Sequence, residues 1–122
     1  EGRYLLRFVG GFGNNGGRPT MFTSKGDAQA VKNTHLVVTV DPEGERRIYV
    51  DGRRRASLDT GPGIEQWEDD QPFTIANVAS CIEAEQDCRD WEGTLHTVAV
   101  YCRPLSELEV GNNATAELGA LP

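Results

Sequence analysis

Trp67 stands in an acidic loop, Glu65-Gln66-Trp67-Glu68-Asp69-Asp70, and an aromatic face beside carboxylates suits sugar binding. Indole rings stack on the apolar faces of pyranose rings, while acids and amides bond the hydroxyl groups. Asn14 and Asn15, in a Gly-rich stretch from 10 to 19, add amides of the right type. Trp67, Asn14, Asn15 and Asp69 therefore make up the candidate ligand-binding set. The competing role for Trp67 is a plug over a sheet edge. The same acidic loop holds the candidate metal ligands Glu68, Asp69 and Asp70. Calcium takes six to eight oxygens from carboxylates, amides and carbonyls on loops. The run lacks the D-x-D-x-D-G frame of a dedicated calcium loop, so a solvated charge run is the default and calcium the sharper alternative.

Three cysteines leave an odd count. Cys81 and Cys88 bracket an acidic loop of six residues, Ile82-Glu83-Ala84-Glu85-Gln86-Asp87, and two cysteines so placed in one loop are poor core filler. A Cys81–Cys88 disulfide is expected, contributing roughly 2–3 kcal/mol by closing a short loop. It implies an oxidising, extracytoplasmic setting. The spacing is not that of a zinc site. Cys102 reads as a buried small hydrophobe. His35 and His96 are the only histidines; neither falls into a persuasive order with a serine and an acid. His35 reads as a packing residue with one hydrogen bond. The glycines between 10 and 17 lack the Lys-Ser/Thr ending of a phosphate-binding loop.

Antiparallel strands must position these groups. In His35 to Gly52, HLVVTVDPEGERRIYVDG, Leu36, Val38 and Val40 alternate with His35, Val37 and Thr39, the period of a two-faced strand. Asp41-Pro42-Glu43-Gly44 supplies a turn. Ile48 and Val50 resume the alternation with Tyr49 on the other face, and Asp51-Gly52 favours a type I′ turn. Further strands are expected at 4–9, 21–23, 28–31, 55–59 and 73–78, with a turn at Lys25-Gly26-Asp27. Residues 91–101 form the longest expected strand, with a bulge near His96-Thr97 that would bring Leu95, Val98 and Val100 to one face. Residues 105–110 read as one or two helical turns capped by Ser106, with acids at the positive end. No helix longer than three turns is expected. Residues 112–122 read as a tail, in which Asn113-Ala114-Thr115 matches an N-glycosylation acceptor. The expected core is Leu36, Val38, Val40, Ile48, Val50, Phe73, Ile75, Val98 and Val100.

Two blocks carry a resemblance. The first is HLVVTVDPEGERRIYVDGRRRAS; the second is PFTIANV followed by WEGTLHTVAVYCRPLSELEV. In order and spacing they resemble the central hairpin and closing strand of laminin-G-like domains of the concanavalin A-like lectin/glucanase superfamily. The resemblance implies an all-β fold, an antiparallel β-sandwich of the jelly-roll type, with the domain at 1–111 and a C-terminal tail at 112–122. Residues 1–31 match only loosely, which implies a copy short of its first strands. Laminin-G-like domains often hold calcium at a loop rim. Glycosidases of the superfamily carry a strand motif Glu-x-Asp-x-(x)-Glu, whose alternation sets two carboxylates about 5 Å apart for a retaining reaction. The nearest match here, Glu83-Ala84-Glu85-Gln86-Asp87, has another acid order and lies between two cysteines. A non-enzymatic module for adhesion or carbohydrate binding is therefore expected. It would be extracellular or otherwise extracytoplasmic (secreted, periplasmic or cell surface) and would recognise glycans or protein partners. The alternative is a structural docking domain with no small ligand.

Composition agrees with this class. A chain of 122 residues suits one domain, and 14 glycines with 38% hydrophobic residues suit a turn-rich β protein. Its formal charge of −7 argues against nucleic acid as partner. Arg46-Arg47 and Arg53-Arg54-Arg55 are the basic concentrations, read as a solvated hairpin edge that discourages aggregation or as a partner site. No apolar run approaches the ~20 residues of a membrane span. The chain starts at Glu1, and it is expected to be part of a larger polypeptide or assembly.

Thiol counting tests the cysteine assignment. Alkylation in denaturant without reductant should modify Cys102 alone; modification at Cys81 or Cys88 before reduction rules out the bridge.

Overall fold

A computed structural model describes residues 2–7, 19–29, 32–61 and 93–120. Six elements lie in them: β1 (Leu5–Leu6), β2 (Met21–Phe22), β3 (Leu36–Val40), β4 (Glu45–Val50), β5 (Arg53–Asp59) and α1 (Glu107–Ala120). Strands β1 and β2 pair as an antiparallel ribbon, and β3, β4 and β5 form an antiparallel meander in that order. The chain divides into two compact units, 1–67 with 101–122, and 68–100.

Turn chemistry fixes the meander. Gly44 N–H donates to the Asp41 carbonyl at 3.0 Å, and Gly44 has φ +96°. With Pro42 inside the turn, this is a three-residue hairpin loop ending in a left-handed glycine. The Asp41 carboxylate accepts the Glu45 N–H at 2.8 Å. Between β4 and β5, Asp51 and Gly52 have φ +51° and +78°, the two positive values of the type I′ turn that the sequence predicts. Past this turn Val50 faces Arg53 and Tyr49 faces Arg54, yet Ile48 faces Ala56. Arg55 is thus the extra residue of a β-bulge.

Strand β4 is buried on both faces: Ile48, Tyr49 and Val50 are only 1%, 1% and 5% exposed. On one face Ile48 and Val50 meet Met21, with Tyr4, Leu6, Ala56 and Leu58 packed against them. The ribbon therefore lies on the meander as a second β layer. On the other face Tyr49 meets Leu105 and Val110, with Val37 alongside. Alternation alone predicts Tyr49 on the opposite face from Ile48; the helix is what buries it.

Helix α1 departs most from expectation. Its 14 residues make about four turns, longer than the three-turn limit, and residues 112–120, read as a tail, are helical. Gly111-Asn112-Asn113 has poor helix propensity and reads as a stop. Packing overrides it. Val110 and Ala114 are buried at i and i+4, and a Cβ on Gly52 would lie 3.1 Å from Ala114 Cβ and 3.2 Å from Gly111 Cα. The β4–β5 turn thus packs directly on the helix, and Gly52, with no side chain, permits the close approach.

Other expectations need correction. Leu36 and Val38, placed in the core, are 46% and 41% exposed. They stand on the face of β3 that carries Ile48 and Val50 on β4, at the meander margin. Val98 and Val100 are 52% and 74% exposed, and residues 94–100 enter no strand. The long strand and its bulge at His96-Thr97 are therefore not formed there: apolar alternation makes a strand only when a neighbouring strand takes up its backbone groups. Cys102 is exposed and unpaired, not buried. Residues 28–29 are outside any strand. The strand at 73–78 with Phe73 and Ile75, and the Cys81–Cys88 bridge, lie outside the described residues.

Two alanine substitutions separate backbone strain from close approach. At Gly26, with φ +88°, nothing stands within 4 Å of an added Cβ, whereas at Gly44 the Cβ would meet the Gly61 carbonyl oxygen at 1.9 Å. Gly26→Ala should cost about 1–2 kcal/mol, the left-handed penalty alone. Gly44→Ala should cost about 1–3 kcal/mol more, from overpacking. Urea denaturation measures both; equal losses would show that Gly44 and Gly61 are not in contact.

Candidate functional site

The sites expected from sequence and the polar clusters in the structure fall in different places. Trp67, Asn14, Asn15 and Asp69, the candidate ligand set, and Glu68 and Asp70, the remaining candidate calcium ligands, lie outside the described residues. Among the described residues, no group of three or more His, Cys, Asp or Glu side chains is placed to hold a metal ion.

The polar groups that are described mainly brace the fold. Asp51, in the β4–β5 turn, accepts the His35 backbone N–H at 3.1 Å and pairs with Lys32 through its other oxygen. Its own N–H donates to the His35 carbonyl at 2.8 Å. Burial disfavours the charged Asp51 carboxylate, but the bonds from Lys32 and the His35 N–H outweigh it and hold the group below the usual carboxylate range. His35 therefore anchors the turn through its backbone. Its ring Nδ1 is buried without a hydrogen-bond partner. His96 is exposed.

The arginines have specific partners. Arg47 pairs with Glu45 and lies 3.3 Å from Asp41. Its bond to Glu45, despite some desolvation, makes it harder to deprotonate. Arg54 Nε lies 3.3 Å from Glu107 at the start of α1. Arg55, the bulge residue, places Nε 3.3 Å from Asp27, whose side chain is 7% exposed. The run 53–55, read as a solvated edge or a partner site, thus spends two of its three arginines on the helix and on the turn after β2.

At the head of α1 the motif Ser106-Glu107-Leu108-Glu109 closes a capping box. Glu109 N–H donates to Ser106 Oγ at 3.3 Å and Ser106 N–H donates to Glu109 Oε2 at 2.8 Å. The cap expected at Ser106 is therefore made. Arg103 forks onto the same carboxylate, with Nη1 to Oε2 at 3.0 Å and Nη2 to Oε1 at 2.5 Å. Arg103 first, then the Ser106 bonds, lower the Glu109 carboxyl to about 2. Farther along, Asn113 of the glycosylation triplet donates from Nδ2 to the Tyr101 hydroxyl at 3.4 Å.

One surface was not anticipated. The outer face of the β1–β2 ribbon shows Leu5 and Phe22, 51% and 47% exposed, as register partners. Arg3 stands over the Phe22 ring at 5.7 Å. The signal was present in the alternation Arg3-Tyr4-Leu5-Leu6-Arg7, where odd positions form one face.

A family model described as the concanavalin A-like lectin/glucanases superfamily, of the laminin-G type, matches residues 2–111. The chain belongs to this family. The match to the laminin-G-like family stops at Gly111, within α1. The domain is also similar to a solved S-layer domain-containing protein from Clostridium thermocellum, with 15% identity and a TM-score of 0.55. That likeness covers 78% of this chain and 44% of the other, so the chain spans less than half of the neighbour's length. At such identity it speaks for the fold alone. No curated protein matches the chain.

The depressed Glu109 carboxyl sets a pH dependence. A group whose folded pKa lies below its unfolded value stabilises the fold above the unfolded pKa and loses that contribution as pH falls. Here the window runs from 4.5 down to about 2. Glu109→Gln should melt lower than the wild type at pH 6, and the two should converge toward pH 2. Parallel melting curves across this range would contradict the assignment.

Proposed function

We propose that this laminin-G-like domain is a non-catalytic, extracytoplasmic module that binds glycans or protein partners. The observation that carries the reading is the family match over residues 2–111. The ribbon packed on the meander supports the sandwich architecture that such modules use, and a complete jelly roll over 1–111 belongs to the same reading. A place in a larger polypeptide at the cell surface belongs to the same reading. No helix among the described residues is long and apolar enough to cross a membrane.

Sugar binding is assigned to Trp67 with Asn14, Asn15 and Asp69. Trp67 supplies the stacking face, and the amides and carboxylate bond hydroxyl groups. Glu68, Asp69 and Asp70 are the residues that would hold calcium, through hard carboxylate oxygens. A Cys81–Cys88 disulfide would brace the loop between them in an oxidising compartment. The second reading, a docking domain with no small ligand, draws on the exposed apolar pair Leu36 and Val38, which leaves part of a sheet face for a partner.

A glycan array with wild type and Trp67→Ala separates the readings. Glycan binding predicts a signal that Trp67→Ala lowers about tenfold or more, with unchanged melting, the loss of one stacked ring. Docking predicts no glycan signal and loss of partner association in Arg53→Glu. Arg53 is the clean probe because Arg55→Glu would set a carboxylate against Asp27.

A further inference from the structure

We propose that residues 94–100 are a donor strand that pairs with the outer edge of β3 in a second copy of the chain, so that two copies exchange strands reciprocally. This names an occupant for the Leu36–Val38 face and so rests on the docking reading, not on the glycan one.

The donor has the composition of a strand but no sheet. Thr94-Leu95-His96-Thr97-Val98-Ala99-Val100 is rich in β-branched residues, with no proline and no formal charge, a composition that adds readily to a sheet. Yet it enters no strand, and Leu95, Val98 and Val100 are exposed. Water satisfies the backbone there, whereas the apolar side chains gain by burial.

The acceptor edge follows from the ladder. Strand β3 stands at the margin of the meander. Asp51 N–H donates to the His35 carbonyl, and Asp41 N–H donates to the Glu45 carbonyl at 3.1 Å. Hydrogen-bonded pairs alternate along an antiparallel ladder, so residues 35, 37, 39 and 41 turn their backbone groups toward β4. Leu36, Val38 and Val40 turn theirs away from it. Leu36 and Val38 are also the β3 residues with exposed apolar side chains. Outward backbone groups and uncovered side chains thus coincide, as strand addition requires.

Spacing and charge select the partner. Val98 and Val100, like Leu36 and Val38, are two positions apart, so each pair lies on one face of its strand. Laid side by side, the two pairs extend the apolar face of Ile48 and Val50. Two copies of a chain with formal charge −7 repel each other and approach best where neither is charged. Among the described residues, the longest runs without Asp, Glu, Lys or Arg are 93–102 and 33–40, the donor and the acceptor. A charged partner would find nothing to pair with on either. Each copy holds one donor and one acceptor, so reciprocal addition closes as a two-fold dimer.

Sedimentation velocity of the 122-residue chain tests the proposal, with the exposed Cys102 alkylated to prevent crosslinking. Wild type should pass from monomer to dimer as concentration rises, and salt should strengthen the dimer by screening the repulsion between copies. The donor variant Val98→Lys, Val100→Lys and the acceptor variant Leu36→Glu, Val38→Glu should each dimerise about tenfold or more weakly, with far-UV spectra unchanged. If the paired change in β3 unfolds the meander, Val38→Glu alone serves as the acceptor variant. Mixed together, donor and acceptor variants should form a dimer again, now weakened by salt. In that dimer one exchange joins the unaltered donor to the unaltered edge, and the other sets lysines beside glutamates. A wild type that stays monomeric at every concentration overturns the proposal, as does a dimer that the donor variant leaves intact. A dimer lost in the donor variant but kept in the folded acceptor variant would place the contact between two donors and overturn the assignment to β3. Mixed variants that fail to associate would overturn reciprocal exchange, and growth beyond a dimer would overturn its two-fold closure. Docking of a different partner keeps its own readout at Arg53 on β5, so either idea can fail without the other.

Discussion

Burial of β4 on both faces is the constraint on which the described structure depends. A strand that covers only one face can trade neighbours; one that covers two cannot. Ile48 and Val50 demand a β layer, and Tyr49 demands something on the far side. The ribbon and α1 satisfy these demands from opposite directions. Each is too short or too poor in propensity to persist alone. Their order derives from the strand between them, and the strand keeps its solvent-free setting only while both remain. This mutual dependence predicts cooperative unfolding of these elements.

Polar side chains then fix what apolar packing leaves loose. Asp51 ties the β4–β5 turn to residues 32–35, Arg54 reaches α1, and Arg55 reaches the turn after β2. Exposed ion pairs add little stability singly. Their value here is directional: each joins a terminus or turn of one element to the next. The basic concentration in the sequence thus has a largely internal purpose.

Local signals made part of this legible. Asp41-Pro42-Glu43-Gly44 and Asp51-Gly52 dictate their own backbone geometry, so both turns and the strands they join were readable. Ser106 and Glu109 announce the helix start by the same local logic. The helix end was not readable, because Gly111, Asn112 and Asn113 are locally poor and the compensation comes from Gly52, 59 positions earlier in the chain. The exposure of Leu36, Val38, Val98 and Val100 was equally hidden, since alternation identifies a face and says nothing about what covers it. Of the candidate site, residue type alone spoke for Trp67 and its neighbours, whereas the ribbon face emerged only when the register joined two distant segments.

The bulge at Arg55 has a consequence for how this hairpin can change over evolutionary time. Below it, Ala56 and Leu58 keep step with Ile48 and Arg46; above it, Arg53 and Arg54 keep step with Val50 and Tyr49. The strand therefore already accommodates one surplus position without disturbing the core. Loss of a residue at this point would leave the inward side chains in phase and remove only the link to Asp27. A deletion anywhere from 56 to 58 would invert the faces. The hairpin thus has a single tolerant locus for a length change, set next to the turn and away from the packed layer.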